Sequence, residues 1–237
     1  MSNFQNDWTE SAHRTRKLLS EFIGVFGLTF ILSGGAALLS HYGNGSPIII
    51  VTLLSLVSAL WLVCAVFFLG DISAHFNPAI TLAFALRGDM KWRLAIIYFM
   101  MQFFAATVGS YTALFLFGNF GNLAATIPHV GHTWGTISFE AIITFGLVLM
   151  VLAMANGPKL SGQYIPFAVG AYVLAWGTMG GLFDGASMNP ARTFGPDLAI
   201  DNLSTCWIYI VGPCLGSVIA VAAAHVLRGP SKNSIEI

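Results

Sequence analysis

The sequence predicts an all-α membrane protein with six transmembrane helices plus two re-entrant half-helices, arranged as an inverted 3+3 repeat. Three observations lead there. The 237-residue chain is 56% hydrophobic and only 8% charged, with a mean hydropathy of +0.77; a soluble domain averages about 25% charged residues. Six apolar runs are long enough to cross a bilayer. The tripeptide Asn-Pro-Ala occurs twice, at 77–79 and 189–191, each time in an apolar segment too short to span.

The six runs lie near 18–39, 48–69, 94–118, 137–155, 164–183 and 205–227. A helix needs roughly 20 residues to cross a ~30 Å hydrocarbon core. The third and sixth runs are slightly long, which predicts tilt. Lys and Arg set the orientation. With the N-terminus inside, Arg14, Arg16, Lys17, Arg87, Lys91, Arg93, Lys159, Arg228 and Lys232 are all cytoplasmic. The outer loops near 40–47 and 119–136 carry no Lys or Arg, so nine of ten basic residues obey the positive-inside rule. Arg192 breaks it, which marks it as a candidate functional residue.

The predicted organisation follows the spans. A cytoplasmic tail (1–17) precedes a first repeat (18–118) with a half-helix at 77–86. An outer connecting loop (119–136) leads to a second, inverted repeat (137–227) with a half-helix at 189–200, and a cytoplasmic tail (228–237) follows. The N-terminal stretch MSNFQNDWTESAHRTRK is polar and is not read as a cleaved signal peptide.

The two halves match at several places. Glu21 near the start of the first span corresponds to Glu140 near the start of the fourth, and NPAIT to NPART. Three spans per half is an odd number, so one half-helix must enter from the cytoplasm and the other from outside. Short apolar segments at matching places in two halves point to a pore or site at the midplane. Asn is a strong helix N-cap, and Pro fits the first helical position. Asn77-Pro78-Ala79 and Asn189-Pro190-Ala191 therefore read as two helix starts whose positive dipole ends meet at the pore centre. Backbone at 73–76 and 185–188 would line a wet cavity, where irregular backbone is tolerated. Arg192 falls in the first turn of the second half-helix; its counterpart is Ile80. A fixed cation on one side, with two converging dipoles, opposes cation passage. A lone Asn-Pro is only a turn signal, but two copies at corresponding places are far more specific.

Other candidates carry less. Glu21 and Glu140 are predicted to support the half-helices by accepting hydrogen bonds from irregular backbone; proton coupling is the competing role. His75 is predicted to brace the cytoplasmic half-loop, with gating by protonation as the alternative. His129 and His132 form an H-x2-H pair too poor in partners for a metal site. The three cysteines fit neither a metal site nor a disulfide framework. No cofactor, metal site or catalytic residue is predicted. Zero formal net charge gives no sign of nucleic-acid binding. Glycines within the spans, among them Gly109 and Gly216, predict close helix contacts.

The motifs HFNPAIT, MNPART, SEFIGVFGLTF and GPCLGS, with the Glu140 repeat and Gln102, resemble the aquaporin family (major intrinsic proteins) over nearly the whole chain. The resemblance implies one pore per monomer, a homotetramer, and a selectivity filter on the outer side. By position in the motifs that filter is Ser58, Gly177, Ala186 and Arg192. The segment GDISAHFNPA is one residue shorter than the family's usual form, so counting from Asn77 gives Val57 in place of Ser58. Such a wide ring resembles those of members passing bulkier neutral hydroxylated solutes. The expected function is a passive channel in the cell membrane, both termini cytoplasmic. It conducts water and small uncharged solutes, glycerol or arsenous, boric or silicic acid, and excludes ions and protons. An ion-coupled transporter of a small neutral solute, a water-only channel and a membrane protein with a closed pore stand as alternatives. Nothing in the sequence suggests an enzyme.

Overall fold

A computed structural model describes residues 11–128, 131–155 and 163–229. His129, Lys159 and Lys232 lie outside these residues, as do most of the two tails. Every regular element among the described residues is helical. In chain order they are α1 (Ser11–Tyr42), α2 (Pro47–Leu69), α3 (Pro78–Leu86), α4 (Trp92–Phe117), α5 (Thr133–Ala155), α6 (Ile165–Gly180), α7 (Pro190–Ala199) and α8 (Ile208–Arg228). A short turn, Gly121–Ala124, lies between α4 and α5.

Five helices, α1, α2, α4, α5 and α8, are long and apolar enough to cross a membrane. The fifth predicted span differs. α6 has 16 residues, about 24 Å of helix at 1.5 Å per residue. The apolar run continues to Phe183, but the helix stops at the Gly180-Gly181 pair, where helix propensity is low. The Gly181 N–H caps the end on Gly177 C=O at 2.9 Å. α1 differs in the other sense: it runs from Ser11 to Tyr42, beyond the predicted 18–39 at both ends. Hydropathy marks the apolar stretch of a helix, whereas the backbone ladder continues into the polar flanks.

The half-helices are α3 with 9 residues and α7 with 10, each about 14–15 Å long, roughly half the hydrocarbon thickness. Packing repeats between the halves. α1 lies along α4 as α5 lies along α8, while α2 pairs with α6 across the axis relating the halves. Each half-helix packs on the last span of the opposite half, α3 on α8 and α7 on α4. Glycines permit these approaches. A Cβ on Gly109 would come within 2.5 Å of Phe26 C=O on α1; one on Gly216 would come within 2.8 Å of Phe145 N on α5.

Candidate functional site

Each half-helix begins as the sequence predicts. Asn77 is extended (φ −158°) and its Oδ1 accepts the Ala79 N–H at 2.8 Å. Asn189 is extended (φ −149°) and its Oδ1 accepts the Ala191 and Arg192 N–H groups at 3.1 and 3.3 Å. Pro78 and Pro190 occupy the first helical positions, where a missing N–H costs nothing.

The two starts are bonded to each other. Asn77 Nδ2 donates to Met188 C=O at 2.8 Å, and Asn189 Nδ2 donates to Phe76 C=O at 2.9 Å. The contact is reciprocal, as a two-fold relation requires. The Phe76 and Met188 carbonyls, in the backbone predicted to line a cavity, thus each accept one bond from the opposite asparagine. A carboxamide has two N–H donors, so each Asn keeps one N–H beyond this cross-bond.

Two buried carboxylates hold the peptides leading into the helices. Glu21 Oε1 accepts the His75 N–H at 2.8 Å and Oε2 the Phe76 N–H at 2.8 Å. It also accepts Ser73 Oγ at 2.7 Å and Gln102 Nε2 at 2.8 Å. Glu140 Oε1 accepts the Ser187 N–H at 2.6 Å and Oε2 the Met188 N–H at 2.8 Å. Phe76 (φ 50°) and Met188 (φ 55°) are both left-handed, a conformation costing an L-residue roughly 1–2 kcal/mol. The carboxylates offset that cost by taking N–H groups that would otherwise be buried and unpaired.

His75 Nδ1 lies 3.0 Å from Thr81 Oγ1, and its ring stacks on Phe84 with centroids 4.6 Å apart. At the same place in the second half, Ser187 Oγ lies 2.6 Å from Thr193 Oγ1. Both braces tie the residue two before the Asn to the residue four after it. His132 packs edge-on to Phe183, centroids 6.4 Å apart.

One cavity of about 300 Å³ contains Asn77 and Asn189, His75, Ser58, Gly177, Ala186 and Arg192. Val57 is not among its lining residues; its side chain lies toward α1 at Gly35. Ser55, one turn from Ser58 on α2, was not singled out in the sequence. It lines the same cavity, and its Oγ would meet a Cβ on Gly177 at 2.5 Å. Ser55 and Ser58 donate to Val51 and Leu54 C=O, both at 2.8 Å. With their protons used in this way, both hydroxyl oxygens keep acceptor capacity. Arg192 supplies donors: Nη1 to Ala124 C=O at 3.0 Å and Nη2 to Gly185 C=O at 3.5 Å. Ala124 closes a run of four left-handed residues, Gly121–Ala124, with φ from 47° to 59°. Hydropathy gives no signal for such a turn. None of the three cysteines lines the cavity.

Comparison with known proteins agrees with this geometry. The profile of the family described as "Major intrinsic protein" matches residues 8–224. Aquaporin NIP1-1 of Zea mays is 34% identical over 224 residues, covering 94% of this chain and 78% of its own. Aquaporin NIP2-1 of Oryza sativa subsp. japonica is 33% identical over 209 residues, covering 87% and 68%. The X-ray structure of the aquaglyceroporin from Plasmodium falciparum superposes with a TM-score of 0.79 at 24% identity, covering 89% of this chain and 95% of that one. With two capped half-helices meeting in one cavity inside a helical bundle, the chain belongs to the major intrinsic protein family, the aquaporins, and is a membrane channel for water and small neutral solutes.

Proposed function

We propose that the protein passes water together with small uncharged hydroxylated solutes, glycerol or metalloid hydroxides such as arsenous, boric or silicic acid, and excludes ions and protons. The observation that carries this is the composition of the cavity at Arg192. Gly177 and Ala186 contribute almost no side-chain bulk, Ser55 and Ser58 present hydroxyl oxygens, and Arg192 presents N–H donors. A solute with several OH groups donates to the serines while accepting from the guanidinium. A monovalent cation meets the fixed charge of Arg192 and the positive ends of α3 and α7. At the pore centre, both Asn Oδ1 atoms are used as caps, so the side chains there offer donors. A water held by donors alone orients its own hydrogens outward on both sides, which interrupts a proton relay.

The passive reading is favoured over ion coupling because both carboxylates have other work. All four oxygens of Glu21 and Glu140 accept hydrogen bonds from the half-loops. We further propose a homotetramer with one pore per monomer, in the cell membrane with both termini cytoplasmic. Ser58, Gly177, Ala186 and Arg192 form its filter.

Stopped-flow measurement on proteoliposomes tests the reading. Water, glycerol and boric acid fluxes independent of proton or sodium gradients are expected, and Arg192→Ala is expected to admit larger or charged solutes. Water flux with no flux of glycerol, urea or metalloid acid overturns the wide filter. Collapse of flux without an ion gradient overturns the passive mechanism.

A further inference from the structure

Two buried acids outside the cavity lining stand behind Arg192. Asp184 is 2% exposed and Asp197 is 1% exposed. Neither has a matching acid in the first half, where Ile72 and Ala85 stand at the corresponding positions by count from Asn77. Each acid uses one oxygen in the same way. Asp184 Oδ1 accepts the Ala186 N–H at 2.9 Å, and Asp197 Oδ1 accepts the Thr126 N–H at 3.1 Å. In each case the second oxygen is buried with no hydrogen-bond partner among the described residues.

The two amides they hold are significant because of their neighbours. Arg192 has two carbonyl acceptors, Ala124 and Gly185. Thr126 is two residues from the first, and Ala186 is next to the second. Both segments are in backbone conformations that need holding: Ala124 is left-handed at φ 59° and Ala186 at φ 42°. Further bonds complete each clamp. Tyr209 Oη donates to Asp184 C=O at 2.6 Å, and Thr126 Oγ1 donates to Thr193 Oγ1 at 2.9 Å.

We propose that Asp184 and Asp197 are positioning residues for Arg192: each fixes, through one backbone N–H, the segment that carries one of the guanidinium's two carbonyl acceptors. The outer constriction is then shaped by a pair of carboxylates that no solute touches. Without either clamp a left-handed segment relaxes, its carbonyl moves, and the guanidinium swings out of the ring. The solute that most feels this is the largest one the ring admits. This inference rests on the reading of Arg192 as the constriction residue.

The test uses full-length protein in proteoliposomes, with water and glycerol permeability measured on each folded variant. Asp184→Ala and Asp197→Ala are expected to raise the glycerol-to-water permeability ratio several-fold, toward that of Arg192→Ala. Asp184→Asn and Asp197→Asn keep an acceptor oxygen and are expected to hold the wild-type ratio. If an Ala variant does not fold, its Asn partner together with Thr126→Pro, which deletes the amide Asp197 holds, supplies the comparison; Thr126→Pro is expected to shift the ratio as Asp197→Ala would. A ratio unchanged in the Ala variants while Arg192→Ala shifts it overturns the inference alone. Asn variants that shift the ratio as far as Ala overturn it too, since charge and not the amide bond would then be at work. A ratio that Arg192→Ala itself does not move overturns the reading of the constriction.

Discussion

The two half-loops leading into α3 and α7 share one scaffold and differ in their charge. In both, an Asn caps a Pro-started helix, a Glu from the first span of its half holds two N–H groups, and the residue before the Asn is left-handed. Thereafter they diverge. Around Glu21 the additional partners are neutral, Ser73 and Gln102. Near Glu140 lie Asp184 and Arg192, and Asp197 lies near Arg192 in turn. The repeat supplies the mechanical frame twice, whereas the fixed charge of Arg192, which we propose as part of the filter, stands on one side only. Matched pairs of variants test this division.

The largest effects belong to the shared frame. Glu21→Ala and Glu140→Ala each leave two buried N–H groups unpaired, at roughly 1–3 kcal/mol apiece. Thermal unfolding in detergent is expected to show severe and comparable destabilisation in both; a mild effect in one half would break the equivalence. Gly109→Val and Gly216→Val force side chains against the backbone of α1 and α5. Each is expected to cost about 1–3 kcal/mol, read as matched falls in melting temperature. Asn77→Ala and Asn189→Ala each remove a cap, worth typically ~1 kcal/mol, and a cross-bond of about the same size. Both should lower water permeability as well as stability, whichever half carries the change.

The smallest effect belongs to the α2 face of the cavity. Ser55→Ala is expected to change stability by about 0.5 kcal/mol or less, yet to lower glycerol flux relative to water, because an acceptor for the solute's OH groups is lost. Val57→Ala, facing α1, should leave that ratio unchanged. A shift with Val57→Ala and none with Ser55→Ala would reassign the α2 face of the filter.

Much of the fold was legible because each signal is local. Apolar runs located the long helices, and Asn followed by Pro marked both half-helix starts to the residue. The end of α6 was missed because Leu182 and Phe183 extend the apolar run past a glycine pair that ends the helix. The site was legible where the motif itself sits. Ser55 was missed because counting from a motif names one position, whereas a helix presents neighbours three apart on the same face. The cross-bonds between Asn side chains and Phe76 and Met188 carbonyls join residues 113 and 111 positions apart, and the clamps of Asp184 and Asp197 require loop conformations that composition does not encode.

The reciprocal bonds from each Asn side chain to a carbonyl of the opposite half-loop also bear on how the chain is assembled. Phe76 C=O waits for an amide that is synthesised 113 residues later, and a lone carbonyl in hydrocarbon costs several kcal/mol. A chain ending after α4 lacks the amide that Phe76 C=O accepts, so the centre of the pore is completed only when the second half has been made.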